Sequence, residues 1–291
     1  MRRPGIRWVG IIGVAVAATL ALTAPPASAS ERSSGSRVSL AALGDSYSSG
    51  VGTPDPYPSS LPTCYRTPHA WPDLVADALN WRGTNLACSG AKTADITAPY
   101  GGQDAQTALL AALRPRPKVV TITIGGNDVG FGPVLQACYL GDCTGAIVGS
   151  EVAMLTVLPE RLAATYRAVE AADPRARLVV VGYPRIFPSD ASAVTDCSWL
   201  SDAERVALNQ SASLLNAVIR AEAVLAGATF VDVSSTLAGH ELCTADSWLV
   251  PLPQQMAAHP TVPGQQAIAD AVTSVLARLR LTPSHPLAAA R

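Results

Sequence analysis

Charge is scarce in this chain. Asp, Glu, Lys and Arg make up 15% of its 291 residues, and no run of Lys or Arg follows a helix face. That speaks against a nucleic-acid partner. A weakly charged surface suits a protein that meets uncharged or amphiphilic molecules. Histidine is equally sparse, with four in all, and no CxxC pair or histidine at ligand spacing accompanies the cysteines. Zinc is therefore not expected, nor is any other metal or cofactor. The GxSxG pattern is missing, which tells against an α/β-hydrolase nucleophile elbow. After the N-terminus no apolar run approaches the roughly 18 residues of a membrane span. There are no internal repeats, and low-complexity sequence is confined to 31–37 and the Ala-rich tail.

The first 29 residues read as a secretory signal peptide. Arg2, Arg3 and Arg7 make a positive start, Val9 to Leu22 form an apolar run, and Ala27-Ser28-Ala29 supply the small-residue cleavage pattern. The remaining chain suits one large α/β domain over 38–282, between flexible flanks at 30–37 and 283–291. The expected destination is extracellular. Six cysteines then imply disulfides, whose pairing the sequence alone leaves open. Nearest-in-sequence pairing, Cys64–Cys88, Cys138–Cys143 and Cys197–Cys243, closes three separate loops without threading and is the expected set.

Five short apolar runs read as strands: 38–43, 85–87, 119–124, 178–181 and 229–231. Continuous rather than alternating hydrophobicity suits a parallel sheet covered on both faces. Helical patterns separate them over 103–113, over 151–172 with a break at Pro159, from a capping box at Ser201 to Leu225, and after Pro263-Gly264. The predicted fold is a doubly wound, flavodoxin-like three-layer sandwich around a five-stranded parallel sheet. In such sheets the ligand site lies beyond the carboxyl ends of the strands.

Residues 40–50, LAALGDSYSSG, carry the first strand into that rim. Ser46 is either a turn residue or a nucleophile. Ser89-Gly90 and Asn127-Asp128 leave neighbouring strands toward the same rim. A serine hydroxyl needs a base to take its proton and donors aimed at the developing oxyanion. The Ser46 N–H, the Gly90 N–H and the Asn127 side-chain amide are candidate donors. For the base, His285 lies in the tail, while His69 and His240 suit structural roles. His259 sits in a proline-bounded loop before the last helix, which should reach the same rim. Asp45 is expected to tie down its loop through backbone N–H groups, and Asp128 to buttress Asn127 by similar local bonds, rather than to move protons.

Gly44-Asp45-Ser46, Gly90, Gly125-Gly126-Asn127-Asp128 and His259-Pro260 resemble, in order, the blocks of the SGNH (GDSL-type) hydrolase family. The likeness runs from about Val38 to Leu279 and is greatest to secreted, three-disulfide actinobacterial lipases and esterases. It implies the SGNH hydrolase fold, Ser46 as nucleophile, His259 as base, and Ser46, Gly90 and Asn127 as the oxyanion hole. It also supports the nearest-neighbour disulfides. Many members carry Asp three residues before the histidine, where this chain has Met256. The Met256 carbonyl is the expected substitute, with Asp246 and Asp232 as alternatives. The implied activity is ester hydrolysis on a small-molecule or lipid ester, with transient contact at a lipid interface and a monomeric chain. A carbohydrate O-acetyl esterase on the same machinery and a non-catalytic binding module remain as alternative readings.

Overall fold

The computed structural model describes residues 37–279. The expected signal peptide, the tail with His285 and nearly all of the 30–37 segment lie outside them. Five strands form one sheet: β1 (Ser39–Gly44), β2 (Arg82–Asn85), β3 (Val119–Thr123), β4 (Arg177–Val181) and β5 (Thr229–Val231). Every pairing is parallel, and the order is β2-β1-β3-β4-β5. The helices are α1 (Ser46–Ser49), α2 (Trp71–Ala78), α3 (Gln106–Ala112), α4 (Phe131–Leu140), α5 (Thr144–Thr156), α6 (Leu158–Ala172), α7 (Asp202–Leu225) and α8 (Val262–Leu276). None of these helices is long and apolar enough to cross a membrane.

The three layers follow from the two-residue period of the strands. Leu40, Ala42, Val119, Val179 and Val181 pack with Trp71 and Val75 of α2 and Ile268 and Val272 of α8. Their neighbours Ala41, Leu43, Val120, Ile122 and Val180 point the other way, onto Leu162 and Tyr166 of α6 and Leu215 and Ile219 of α7. A strand buried on both faces shows no alternation of polarity, which is why β1, β3 and β4 read as unbroken apolar runs.

The second strand lies earlier than its expected range, overlapping it only at Asn85. Arg82, Gly83 and Thr84 are exposed, as an edge strand allows, and the pairing rests on backbone bonds rather than burial. Pro159 does break the long helical stretch: it occupies the first turn of α6, where its missing N–H costs nothing. The Ser201 capping box is present, with Glu204 returning the bond. The last helix starts slightly before Pro263, which sits in its first turn. The disulfides are Cys64–Cys88, Cys138–Cys143 and Cys197–Cys243.

Candidate active site

The sheet order reverses between β1 and β3, the switch point at which a crevice opens in doubly wound sheets. Ser46 lies there as the first residue of α1, a single turn leaving β1 sharply. Gly44 makes the corner possible. Its φ is +126°, and a Cβ would collide with the Thr123 carbonyl of β3. Gln106 of α3, itself buried, clamps the same glycine from both sides. Its Oε1 accepts from Gly44 N–H at 2.8 Å, and its Nε2 donates to Gly44 O at 2.9 Å. Asp45 caps α1 by accepting from Tyr47 N–H at 3.0 Å.

His259 arrives on the long connection between β5 and α8. Ser46 Oγ stands 2.7 Å from its Nε2. On the far side of the ring, Nδ1 lies 2.9 Å from Met256 O and 3.1 Å from Ala257 O. Both of these are carbonyls and can only accept, so Nδ1 carries the proton and Nε2 is free to accept from the serine hydroxyl. Two left-handed residues aim the carbonyls, Met256 with φ +67° and Ala258 with φ +61°. Each costs about 1–2 kcal/mol outside glycine. Hydrogen bonds hold the loop in place: Tyr47 Oη donates to Ala258 O at 2.7 Å, and Ala258 N–H donates to Val250 O at 2.7 Å.

Burial holds the His259 imidazole below its ordinary range, against the two carbonyls, which favour the protonated ring. A depressed value means that the neutral, base-competent ring persists to lower pH. The acid limb of a kcat/KM profile should therefore fall at a pH below 6.5, the ordinary imidazole value. A limb above that value would contradict the burial argument.

Asn127 follows β3 on the same rim. One of its amide hydrogens goes to Ala91 O at 2.9 Å, which orients the group and leaves the other for a ligand. Ser46, Asn127 and His259 together line one cavity whose remaining wall is largely apolar, with Phe131, Leu135, Ile147, Met154 and Leu208 among its residues. Gly90 does not line it. That glycine is exposed on the adjacent loop, which Cys88 ties to the corner by donating its N–H to Gly44 O at 3.0 Å. Neither Ser46 N–H nor Gly90 N–H donates to any described residue.

Asp128 does not brace Asn127 as expected. Its carboxylate accepts from Thr93 N–H at 2.9 Å and Thr93 Oγ1 at 2.5 Å, with Arg161 at 3.4 Å, and so fastens the loop after Gly90. His240 is held by Asp246 and stacks on Trp248 at 3.7 Å, while His69 faces Asp55. Asp232 pairs with Arg220 at 2.6 Å. Among the described residues, no carboxylate reaches His259 Nδ1, and no group of three His, Cys, Asp or Glu side chains could hold a metal ion.

Two functional neighbours escaped the sequence reading, Gln106 and Tyr183. Tyr183 leaves β4 toward the same rim, which is the signal that could have found it. Its buried hydroxyl donates to Asp45 Oδ2 at 2.5 Å and accepts from Gly126 N–H at 3.0 Å. One phenol thus joins the serine corner to the residue preceding Asn127. Burial pushes the Asp45 carboxyl up to about 7, and the Tyr183 bond acts against that rise. Tyr183→Phe is expected to lower kcat about tenfold through loosened donors, with a smaller change in KM. Steady-state kinetics on a soluble ester would check this, and a change confined to KM would contradict it.

Comparison with known proteins gives the chain its family. The family model for the GDSL-like lipase/acylhydrolase family matches residues 42–267. The chain is 38% identical to a lipase of Streptomyces rimosus, over 77% of this chain and 81% of that protein. It is 37% identical to lipase 1 of Streptomyces coelicolor, over 86% and 88%. Among solved structures, phospholipase A1 from Streptomyces albidoflavus superposes with a TM-score of 0.72 at 35% identity, covering 82% of this chain and 99% of that one. The extracellular lipase of Streptomyces rimosus does so with 0.73 at 36%, covering 81% and 99%. The chain belongs to the GDSL-like lipase/acylhydrolase family, the SGNH hydrolases, and is a carboxylic ester hydrolase.

Proposed function

We propose that this hydrolase is an exported lipase or esterase that works through a Ser46 acyl-enzyme, with His259 as its only proton-transfer partner. The observation that carries the reading is the 2.7 Å contact between Ser46 Oγ and His259 Nε2 at an apolar cavity. Ser46 Oγ attacks the ester carbonyl carbon as its proton passes to Nε2. The carbonyl π bond becomes an oxyanion, which receives hydrogen bonds from Ser46 N–H and the free Asn127 amide hydrogen, with Gly90 N–H on the loop beside the cavity as the third candidate donor. Collapse breaks the carbon–oxygen bond to the alcohol, and the imidazolium returns its proton to the departing oxygen. Water then attacks the acyl-serine with the same proton route, releasing the acid and restoring the hydroxyl.

The carbonyls of Met256 and Ala257 take the place of the usual carboxylate. They fix the tautomer and give partial negative charge to the imidazolium while it exists. This requires Ser46, His259 and Asn127 to act as a unit. Three disulfides support export, since they persist in oxidising compartments.

The cavity wall distinguishes substrates. An apolar acyl chain removes surface from water at about 0.8 kcal/mol per buried methylene, a gain that a sugar acetate cannot collect. A p-nitrophenyl ester series should therefore show kcat/KM rising from acetate into medium chain lengths. A preference for acetate would move the reading to an O-acetyl esterase.

A further inference from the structure

A second, largely apolar space lies against the loop that carries His259, at Ala257. It is a groove of about 390 Å³ along α4 and the connection before α8, beside the inner cavity at Ser46. Gly132, Leu135 and Ala257 line both spaces, so the two adjoin at a shared wall that includes the residue two before His259. Leu252 and Pro253, from the connection that carries His259, form the far wall. The groove continues past Tyr139 to Leu140, whose side chain has no cover: the residue is 76% exposed. From Gly132 to Leu140, α4 rises about 12 Å, roughly the reach of a ten-carbon chain. No charged side chain lines the groove.

We propose that this outer groove binds the alkyl chain on the alcohol side of the ester, so that the enzyme takes lipid esters with two apolar arms. The assignment rests on the reading of Ser46 as nucleophile and His259 as base. It deepens that reading by giving each arm a place.

The direction of the arms follows from the proton path. His259 must protonate the departing oxygen, so the alcohol leaves from the histidine side of the carbonyl carbon. Leu252, Pro253 and Ala257, all from the connection that carries His259, line the outer groove, so it lies on the loop from which the base projects. The inner cavity runs instead behind Ser46 between α4, α5 and α7, and keeps the acyl chain in place after the alcohol has gone. A more open groove for the first product and a more enclosed cavity for the covalent intermediate match the order in which the two are released. The uncovered Leu140 has the chemistry of a contact for an alkyl chain, since a lone exposed leucine at the end of an apolar groove extends the surface that a chain can bury.

Two isomeric esters separate the arms. Decyl acetate places its ten carbons on the alcohol, and ethyl decanoate places them on the acyl group. Both would be presented in the same non-ionic micelles, with Leu140→Asp and Ile147→Phe as variants. Leu140→Asp should lower the ratio of kcat/KM for decyl acetate over ethyl decanoate about tenfold, because a carboxylate replaces the apolar contact at the groove end. Ile147→Phe, which fills the inner cavity, should raise the same ratio. A ratio unmoved by Leu140→Asp, or moved toward decyl acetate, overturns the groove assignment. Leu140 is on the surface, so that variant decides the matter even where Ile147→Phe fails to fold. Hydrolysis of p-nitrophenyl acetate by the unaltered protein keeps the two levels apart. Its presence with an unmoved ratio removes the groove alone, and its absence removes the serine–histidine reading and the groove with it.

Discussion

Ser46→Ala is expected to lower kcat on p-nitrophenyl butyrate by at least about 10⁴-fold, because nucleophile and base lose their effect together. The methyl group offers no electron pair, and neutral His259 then faces nothing whose proton it can take. What survives is binding and the oxyanion donors, worth roughly 10³–10⁴ over the reaction in water. Neighbouring serines do not substitute. Ser49 Oγ donates back to Ser46 O at 3.3 Å, and Ser48 is buried away from the cavity. The fold should be unaffected, since the corner is held by Gly44, Gln106 and the Asp45 cap rather than by the Ser46 side chain. Matched melting temperatures with activity lost would establish the effect as chemical. Activity within tenfold of the parent would move the nucleophile elsewhere.

A comparable loss is expected from His259→Ala, whereas Asp246→Asn and Asp232→Asn should change kcat no more than about twofold. The contrast is the test of a two-residue machine. In serine hydrolases with a third carboxylate, its amide replacement drops turnover by about 10⁴ because the histidine takes the wrong tautomer. Here the tautomer is set by two main-chain carbonyls, which no side-chain substitution removes. Asp246 is occupied by His240, and Asp232 by Arg220. A large loss in Asp246→Asn would mean that the connection rearranges to bring a carboxylate under the imidazole. Met256 offers a finer check. Its contribution is its carbonyl together with a left-handed φ of +67°. Met256→Gly relieves the backbone strain and keeps the carbonyl, so it should retain activity. Met256→Val places a β-branched side chain in that conformation and should lose part of it.

Much of this architecture was legible because the informative residues stand at strand ends. β1, β3 and β4 are buried on both faces, so their apolar runs are continuous and stop at glycines. Topology then sends every residue after a strand to one rim, and Ser46 and Asn127 could be placed together without distances. His259 was legible by its loop, which lies between the last strand and the last helix.

Other parts were hidden for physical reasons. β2 is polar and half in solvent, and its position depends on backbone pairing, so its pattern could not mark it. α2 begins at Trp71 and α4 at Phe131 without a side-chain cap, and neither announces itself locally. Gln106 and Tyr183 act across the fold. Gln106 is 62 residues from Gly44 and Tyr183 is 138 from Asp45, and only the folded sheet brings them together. The role expected of Asp128 failed for the same reason: the nearer partner in sequence, Asn127, is not the nearer in space.

The central claim is that Ser46 carries the acyl group. Rapid quench of the protein with p-nitrophenyl octanoate, followed by mass analysis of the intact chain and its peptides, tests it most directly. The account predicts a burst of p-nitrophenol matched by one octanoyl group per chain, located on Ser46 and missing from Ser46→Ala. Turnover with no adduct, or an adduct on another residue, would contradict it.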